Sequence, residues 1–397
     1  MKFIFEQCNS RKATLHVTID AGSAVECGGK WTSGIAHIVE HMIFQGTESM
    51  THEELTKTMG RYGVDWNGGT YHAKVAYYVT APAENIYEVS RLLCEMLFNR
   101  EFNKTTLDKE KLVVLEEKRG SEDDKESIIM EKFDKFICNG PIANSIIGTT
   151  KSIKSIKIEE IQEFYNQYYK SENMLVVLTG PLNINVKEIA SLFGKNVESF
   201  KKSKRVKNLH NELKKKTHTG NVQQSTIYIA YKAIPVTHKD AFILAFMNKF
   251  FGEDMDSRLF QSLRQKYGLC YGAGGFPYLC DDIGWFVIWT KIGKENINKA
   301  VELIDKEIVR LVTEYPTEEE INRARNKYLS EVYSFLETSN GTNALISSRH
   351  YNNLPNIEVS LERAKNIDAA EILKTCKKYF KPENRKIFMY LPKMVKD

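Results

Sequence analysis

Apolar positions along this chain recur with two periods, and the order in which those periods alternate predicts its elements. ATLHVTID (residues 13–20) is rich in branched side chains and runs into Ala21-Gly22, which predicts a strand and a turn. After GGKWTSG the spacing turns helical, with Thr32 or Ser33 as the expected cap. GGTYHAKVAYYVTAP reads as strand ended by Pro82, AENIYEVSRLLCEMLFN as an amphipathic helix, and TTLDKEKLVVLEEKRG as a further helix capped at Thr105 or Thr106. KIEEIQEFYNQYYKSEN is again helical, and NMLVVLTG, stopped by Gly180-Pro181, is a strand of the buried kind.

A basic run, KKSKRVKNLHNELKKKTH from Lys201 to His218, then intervenes and the order starts again. TIYIAY is strand, THKDAFILAFMNKFFG and DSRLFQSLRQKYG are helices, and WFVIWTKIG is strand. Two long helices follow, the second introduced by Pro316-Thr317, and the chain closes with helix around IDAAEILKTCKKYF and the strand RKIFMYL. Each half runs strand, helix, strand, helix, acidic helix, helix, strand. The fold class expected is therefore α+β, a duplicated unit with residues 1–200 as one domain, 201–220 as a basic connector and 221–397 as the other. The strands do not alternate with single crossover helices, which argues against a Rossmann order.

Composition narrows the function classes. With 397 residues, 42% of them hydrophobic and 27% charged, the chain is long and apolar enough for two cores, which excludes disorder as its main business. The net charge of +5 is a small surplus of 56 basic over 51 acidic residues. The basic run lacks the interleaved aromatics that stack on bases, so it reads as a solvated connector and no nucleic-acid partner is expected. Seven scattered cysteines form no C-x₂-C pair and suit a reducing compartment. No apolar stretch is long enough for a membrane span and the first residues do not form a signal peptide, so a cytoplasmic protein is expected.

The chemistry concentrates at IAHIVEHMIF, residues 35–44. His37 and His41 are four apart and share a helix face, and Glu40 borders it. Ile35, Ile38, Val39, Met42, Ile43 and Phe44 make most of the remaining surface apolar, so three polar groups would be buried together at high cost unless they held a metal. Zinc accepts two imidazoles and a carboxylate and leaves a position for water. Two histidines on one helix need a third ligand from elsewhere, and Glu40, adjacent to His41, is better placed as a base.

H-x-x-E-H is the inverse of H-E-x-x-H and supplies the same parts. In its context, GSAVECGGKWTSGIAHIVEHMIFQGT, it resembles the active-site segment of the pitrilysin and insulinase family of zinc metallopeptidases, in the short-chain branch that includes enzymes like the mitochondrial processing peptidase. That family places a distal glutamate ligand far downstream on a helix, with another glutamate seven positions before it. Glu117, 76 positions after His41, and Glu110, seven before Glu117, match that spacing. Seven residues are nearly two helical turns, so Glu110 and Glu117 share a face while Glu116 lies about 100° away. The expected ligands are thus His37, His41 and Glu117 to one Zn²⁺ per chain, with Glu110 supporting the charge or orientation of the site and Glu116 on the surface.

The resemblance covers nearly the whole chain. It implies two homologous α/β-roll domains, each a mostly antiparallel sheet packed by helices, around a clam-like peptide cavity. MDSRLFQSLRQKYGLCY is similar to the family's substrate-facing segment, whose arginine and tyrosine fall on Arg264 and Tyr271. Asn67 falls where the family carries an asparagine on an edge strand that a peptide can extend, and Asn67-Gly68-Gly69 also reads as a turn. Glu253, Asp254 and Asp256 depart from the family's glycine- and serine-rich run, which implies a narrowed or acidic groove. The implied activity is zinc-dependent endopeptidase action on short or unfolded peptides, leader or presequence segments among them, with a homodimer or a heterodimer with an inactive homologous subunit. Two rivals stand beside it: a non-catalytic peptide-binding or scaffold subunit, and a nucleotide enzyme suggested by the glycines of YGAGGF.

Overall fold

The computed structural model describes residues 1–98, 100–194 and 204–393. They form two compact units, one of Met1–Asp124, Gly140–Lys207 and Tyr333–Leu354, the other of Lys125–Asn139, Asn208–Val332 and Pro355–Asp397. The first is built on β1 (Lys2–Gln7), β2 (Lys12–Ile19), β3 (Asp65–Thr70), β4 (Val75–Pro82) and β5 (Met174–Gly180), in the order β1-β5-β2-β4-β3. The second is built on β6 (Lys215–Gly220), β7 (Ser225–Lys232), β8 (Cys270–Leu279), β9 (Gly284–Ile292) and β10 (Arg385–Pro392), in the order β8-β9-β7-β10-β6. In each sheet one edge pair is parallel, β1 with β5 and β6 with β10, and the other pairs are antiparallel. Read from the parallel edge, the strands run 1-5-2-4-3 and 6-10-7-9-8, the same path taken twice. The expected α+β class and duplicated, mostly antiparallel units are what the chain forms.

Four helices matter for the site and its support: α1 (Ile35–Ile43), α2 (Lys104–Asp123), α3 (Lys125–Ile137) and α4 (Ser339–Tyr351). α3, from the first half of the sequence, belongs to the second unit, where Phe133 packs on Tyr228 of β7 and Phe388 of β10. α4, from the second half, belongs to the first unit. Its Asn343 donates to the carbonyls of Thr14 and Val177 at 2.9 and 2.8 Å. This explains why NMLVVLTG looks apolar throughout. Leu175 and Val177 of β5 cluster with Ile346 and Tyr351 of α4, while Met174, Val176 and Leu178 enter the main core.

Several local expectations are corrected. GGTYHAKVAYYVTAP is a hairpin rather than one strand: β3 ends at Thr70, the Tyr71 amide bonds the Lys74 carbonyl at 2.8 Å, and β4 begins at Val75. The Asn67-Gly68-Gly69 turn therefore does not form; these residues lie inside β3, an edge strand. α2 is capped by Asn103, whose side chain accepts from the Thr106 amide at 2.8 Å, and not by Thr105 or Thr106. In the basic run, Lys201–Ser203 lie outside the described residues, and from Lys215 the run is the exposed edge strand β6. The glycines of YGAGGF lie in β8, where a Cβ on Gly275 would meet Asn248 Oδ1 at 2.9 Å and Phe286 at 3.1 Å. They permit close packing on the strand, which removes the basis for a phosphate loop.

Candidate metal centre

The first unit brings the motif together through α1, α2 and β3. Every residue of α1 except His41 is buried, so the helix sits in the core and its polar side chains have little choice of partner. α2 presents Leu107, Glu110 and Val114 as its buried residues. The spacing of three and four places Glu110 in an apolar seam, and Glu117 lies one turn further along it. Where the two helices meet, His37 Nε2 stands 3.6 Å and His41 Nε2 3.5 Å from Glu117 Oε2. One ligand atom from each of His37, His41 and Glu117 lies within 4.8 Å of the others. Among the described residues this is the one such group of histidine, cysteine and carboxylate.

These donors fit zinc. Ligand atoms about 2.1 Å from a tetrahedral ion are about 3.4 Å from each other, close to both observed imidazole–carboxylate separations. His41 Nδ1 is 3.2 Å from Glu110 Oε2, so its Nδ1–H is donated to that carboxylate, and Nε2 faces Glu117, where a bound cation would take the place of its proton. Burial works against charge on both rings. It pulls His37 down to about 4, while on His41 the hydrogen bonds to Glu110 and Glu117 outweigh it and hold the pKa at about 9. The hydrogen bond from His41 keeps Glu117 below the usual carboxylate range. A proton thus sits among two carboxylates and a neutral imidazole, the arrangement a divalent cation replaces. Glu116 points elsewhere and pairs with Arg119 on the exposed side of α2.

Glu40 is buried and is not one of the three candidate ligands. Burial raises its pKa, opposed by His41 and by the Thr70 hydroxyl, which donates to Oε2 at 3.2 Å. A carboxylate raised in this way is better able to take a proton and return it. β3 approaches so closely that a Cβ on Gly68 would lie 2.9 Å from Glu40 Oε1 and 2.8 Å from the Phe44 ring. Thr70 and Gly68 were not found from the sequence, because their contact with Glu40 depends on the hairpin. Asn67 is exposed on β3 and its Oδ1 accepts from the Gly68 amide at 2.9 Å.

Two family models cover most of the chain: "Insulinase (Peptidase family M16)" over residues 2–150 and "Peptidase M16 inactive domain" over residues 155–328. The chain belongs to the M16 family. It is 26% identical over 382 residues to an uncharacterized zinc protease of Rickettsia bellii, covering 92% of this chain and 89% of that one. It is 23% identical to the mitochondrial-processing peptidase subunit beta of Mus musculus, covering 92% and 77% of the two chains. The crystal structure of a peptidase M16 inactive domain from Pseudomonas fluorescens has the same fold, with a TM-score of 0.87 at 17% identity over 100% of this chain and 96% of that one.

The other two residues of the expected site, Arg264 and Tyr271, lie in the second unit. The DSRLFQSLRQKYG helix is irregular: Ser257 caps a single turn at Arg258–Phe260, and Gln261–Lys266 continues with π-helical spacing. Such local widening is common at functional sites. It carries Arg264, whose guanidinium lies 4.5 Å from the Tyr271 ring centroid and 5.4 Å from that of Phe260, and donates to the Tyr271 carbonyl. The Tyr271 side chain is exposed. The acidic departure is neutralised locally: Glu253 pairs with Lys249 at 2.7 Å, Asp254 with Lys327 at 3.2 Å, and Asp256 with Lys327 and, at 3.4 Å, Arg323. An unpaired acidic wall is not formed by these three residues.

Proposed function

We propose that this M16 protein is a zinc-dependent endopeptidase acting on short or unfolded peptides, including leader or presequence segments. The observation that carries this reading is the convergence of His37, His41 and Glu117, with Glu40 beside them and outside the triad. Zinc held by those three residues would acidify a water and polarise the peptide carbonyl. Glu40 takes the proton of the attacking water and delivers it to the leaving amine; Thr70 orients its carboxylate, and Glu110 holds the His41 ring. In this reading Arg264 offers donors to peptide carbonyls or a carboxylate, and Tyr271 donates to the carbonyl oxygen as charge develops. Asn67 contributes on β3, the edge strand a peptide can extend. The working assembly is a homodimer or a heterodimer with an inactive homologous subunit, and the seven free cysteines favour a cytoplasmic setting. No described helix is long and apolar enough to cross a membrane.

A second reading, a non-catalytic peptide-binding or scaffold subunit, is favoured by the "inactive domain" description of the model matching residues 155–328. A quenched library of unstructured peptides separates the two. The zinc-loaded full chain cleaves it, and Glu40→Gln lowers the rate by roughly 10²–10⁴-fold, the range of a lost general base. Binding without cleavage by the parent supports the scaffold reading, and equal cleavage by parent and variant removes Glu40 from the mechanism.

A further inference from the structure

The helix that carries both histidines and Glu40 is short, and its own ends do little to hold it. A helix leaves its first N–H groups and last carbonyls without internal partners. At the start of α1 the capping position is Gly34, at φ 93°, which has no side chain to offer; a Cβ there would lie 2.4 Å from the Ile147 carbonyl oxygen. Neither Thr32 nor Ser33, the expected caps, takes that position. Glu26, eight residues upstream, does the work instead. Its Oε2 accepts from the Gly34 amide at 2.9 Å and its Oε1 from the Ala36 amide at 3.0 Å.

The other end has a buried donor where the first has a buried acceptor. Arg100 Nη2 donates to the carbonyl of Met42 at 3.2 Å, in the last turn of α1. Arg100 is itself fixed by its backbone: its amide donates to the Tyr165 hydroxyl at 3.2 Å and its carbonyl accepts from Gln162 Nε2 at 3.1 Å.

Glu26 is 7% and Arg100 8% exposed, and buried polar groups are costly without hydrogen-bond partners. Burial raises Glu26 to about 8, with the Glu160 carboxylate adding to the rise and the Gly34 and Ala36 amides opposing it. Arg100 Nε and Nη1 have no hydrogen-bond partner among the described residues. Each makes hydrogen bonds to an end of α1, Glu26 as acceptor at the N-terminus and Arg100 as donor at the C-terminus, and Arg100 also feels the Glu48 carboxylate and lies 5.6 Å from the Phe102 ring centroid.

We propose that Glu26 and Arg100 are positioning residues that clamp α1 at its two ends and hold the imidazoles of His37 and His41 in register with Glu117. The proposal deepens the zinc reading and rests on it for its functional meaning, while the clamp is a property of the metal-free chain as well. A helix of nine residues has few internal bonds with which to resist sliding or fraying. Ligands displaced by about 0.5 Å already depart from productive geometry.

The test uses the full chain with Glu26→Gln and Arg100→Met, which keep approximate size and remove, respectively, one of the two acceptor oxygens and the guanidinium donor. Glu320→Gln is the control, since it breaks the bidentate pair of Glu320 with Arg258, at 2.6 and 2.7 Å, in the second unit. Amide hydrogen exchange along α1 is read without metal, zinc affinity by competition with a chromophoric chelator, and ligand geometry from the absorption of the cobalt(II)-substituted protein. Glu26→Gln and Arg100→Met are each expected to speed exchange of α1 amides by about tenfold, weaken zinc by about tenfold and alter the cobalt spectrum. Glu320→Gln leaves all three unchanged. Folded variants with parental exchange, affinity and spectrum overturn the clamp. A parent that binds no metal overturns the zinc reading alone, because exchange in the metal-free chain still decides whether the ends are clamped. If Glu26→Gln does not fold, Arg100→Met applies the same test from the other end.

Discussion

His41 uses both ring nitrogens, Nδ1 toward Glu110 and Nε2 toward Glu117, and this pair of contacts explains why two glutamates of α2 sit seven residues apart. That relation was legible, because a seven-residue interval on a helix needs no tertiary knowledge to place both carboxylates on one face. The partners of Glu40 and of the ends of α1 were not. Thr70 and Gly68 are brought to Glu40 by a hairpin, and Glu26 and Arg100 reach α1 from a preceding turn and from a loop, contacts that no periodicity encodes. A different histidine supplies a pH prediction away from the metal. Burial, and then the charge of Lys74, lower His16 to about 4, and the Thr18 hydroxyl stands 3.2 Å from its Nδ1. Because the folded pKa lies below that of the unfolded chain, the unfolded chain takes up the proton first as pH falls from 6.5 toward 4, and stability is lost across that window. At pH 5 the loss from this group is about 2 kcal/mol. Urea unfolding of parent and His16→Gln at pH 7 and pH 5 checks it: the parent loses more stability than the variant, and equal losses contradict the assignment.

Among the elements, the central strands and the longer amphipathic helices were readable, whereas β1, α3 and the helices His52–Arg61 and Ile357–Asn366 were not read, and the ends of those that were read were not legible. The cap of α1 lies in Glu26, the cap of α2 in Asn103, and the π-helical spacing before Tyr271 has no hydrophobic signature. α4 was not read, because the side it buries is polar: Ser339, Thr342, Asn343 and Ser347 are buried beside Ile346 and Tyr351. Thr179 Oγ1 donates to the Ser339 carbonyl at 2.7 Å, and Asn343 Nδ2 serves β2 and β5 together. Asn343→Ala leaves two buried carbonyls without this donor and is expected to cost about 2 kcal/mol, whereas Ser348→Ala on the exposed side of the same helix changes stability by less than about 0.5 kcal/mol. Urea midpoints of the two variants measure the difference, and equal midpoints would show that α4 is not held by this network.

At the scale of the molecule, the duplication was visible in the repeated order of elements, and the structure expresses it as the same strand path in both sheets. The exchange of α3 and α4 between the units was not visible, since neither helix was read and the destination of each is set by tertiary contacts that no local pattern encodes. The central claim is that a chain of this architecture builds a zinc site from His37, His41 and Glu117 while keeping Glu40 free for proton transfer. Elemental analysis of the purified chain tests it most directly, with Glu40→Gln, Glu117→Gln and Glu116→Gln beside the parent. The account predicts one zinc per chain in the parent, in Glu40→Gln and in Glu116→Gln, and at least a tenfold weaker hold on zinc in Glu117→Gln. Undiminished zinc in Glu117→Gln, or its loss in Glu40→Gln, would contradict the division of roles.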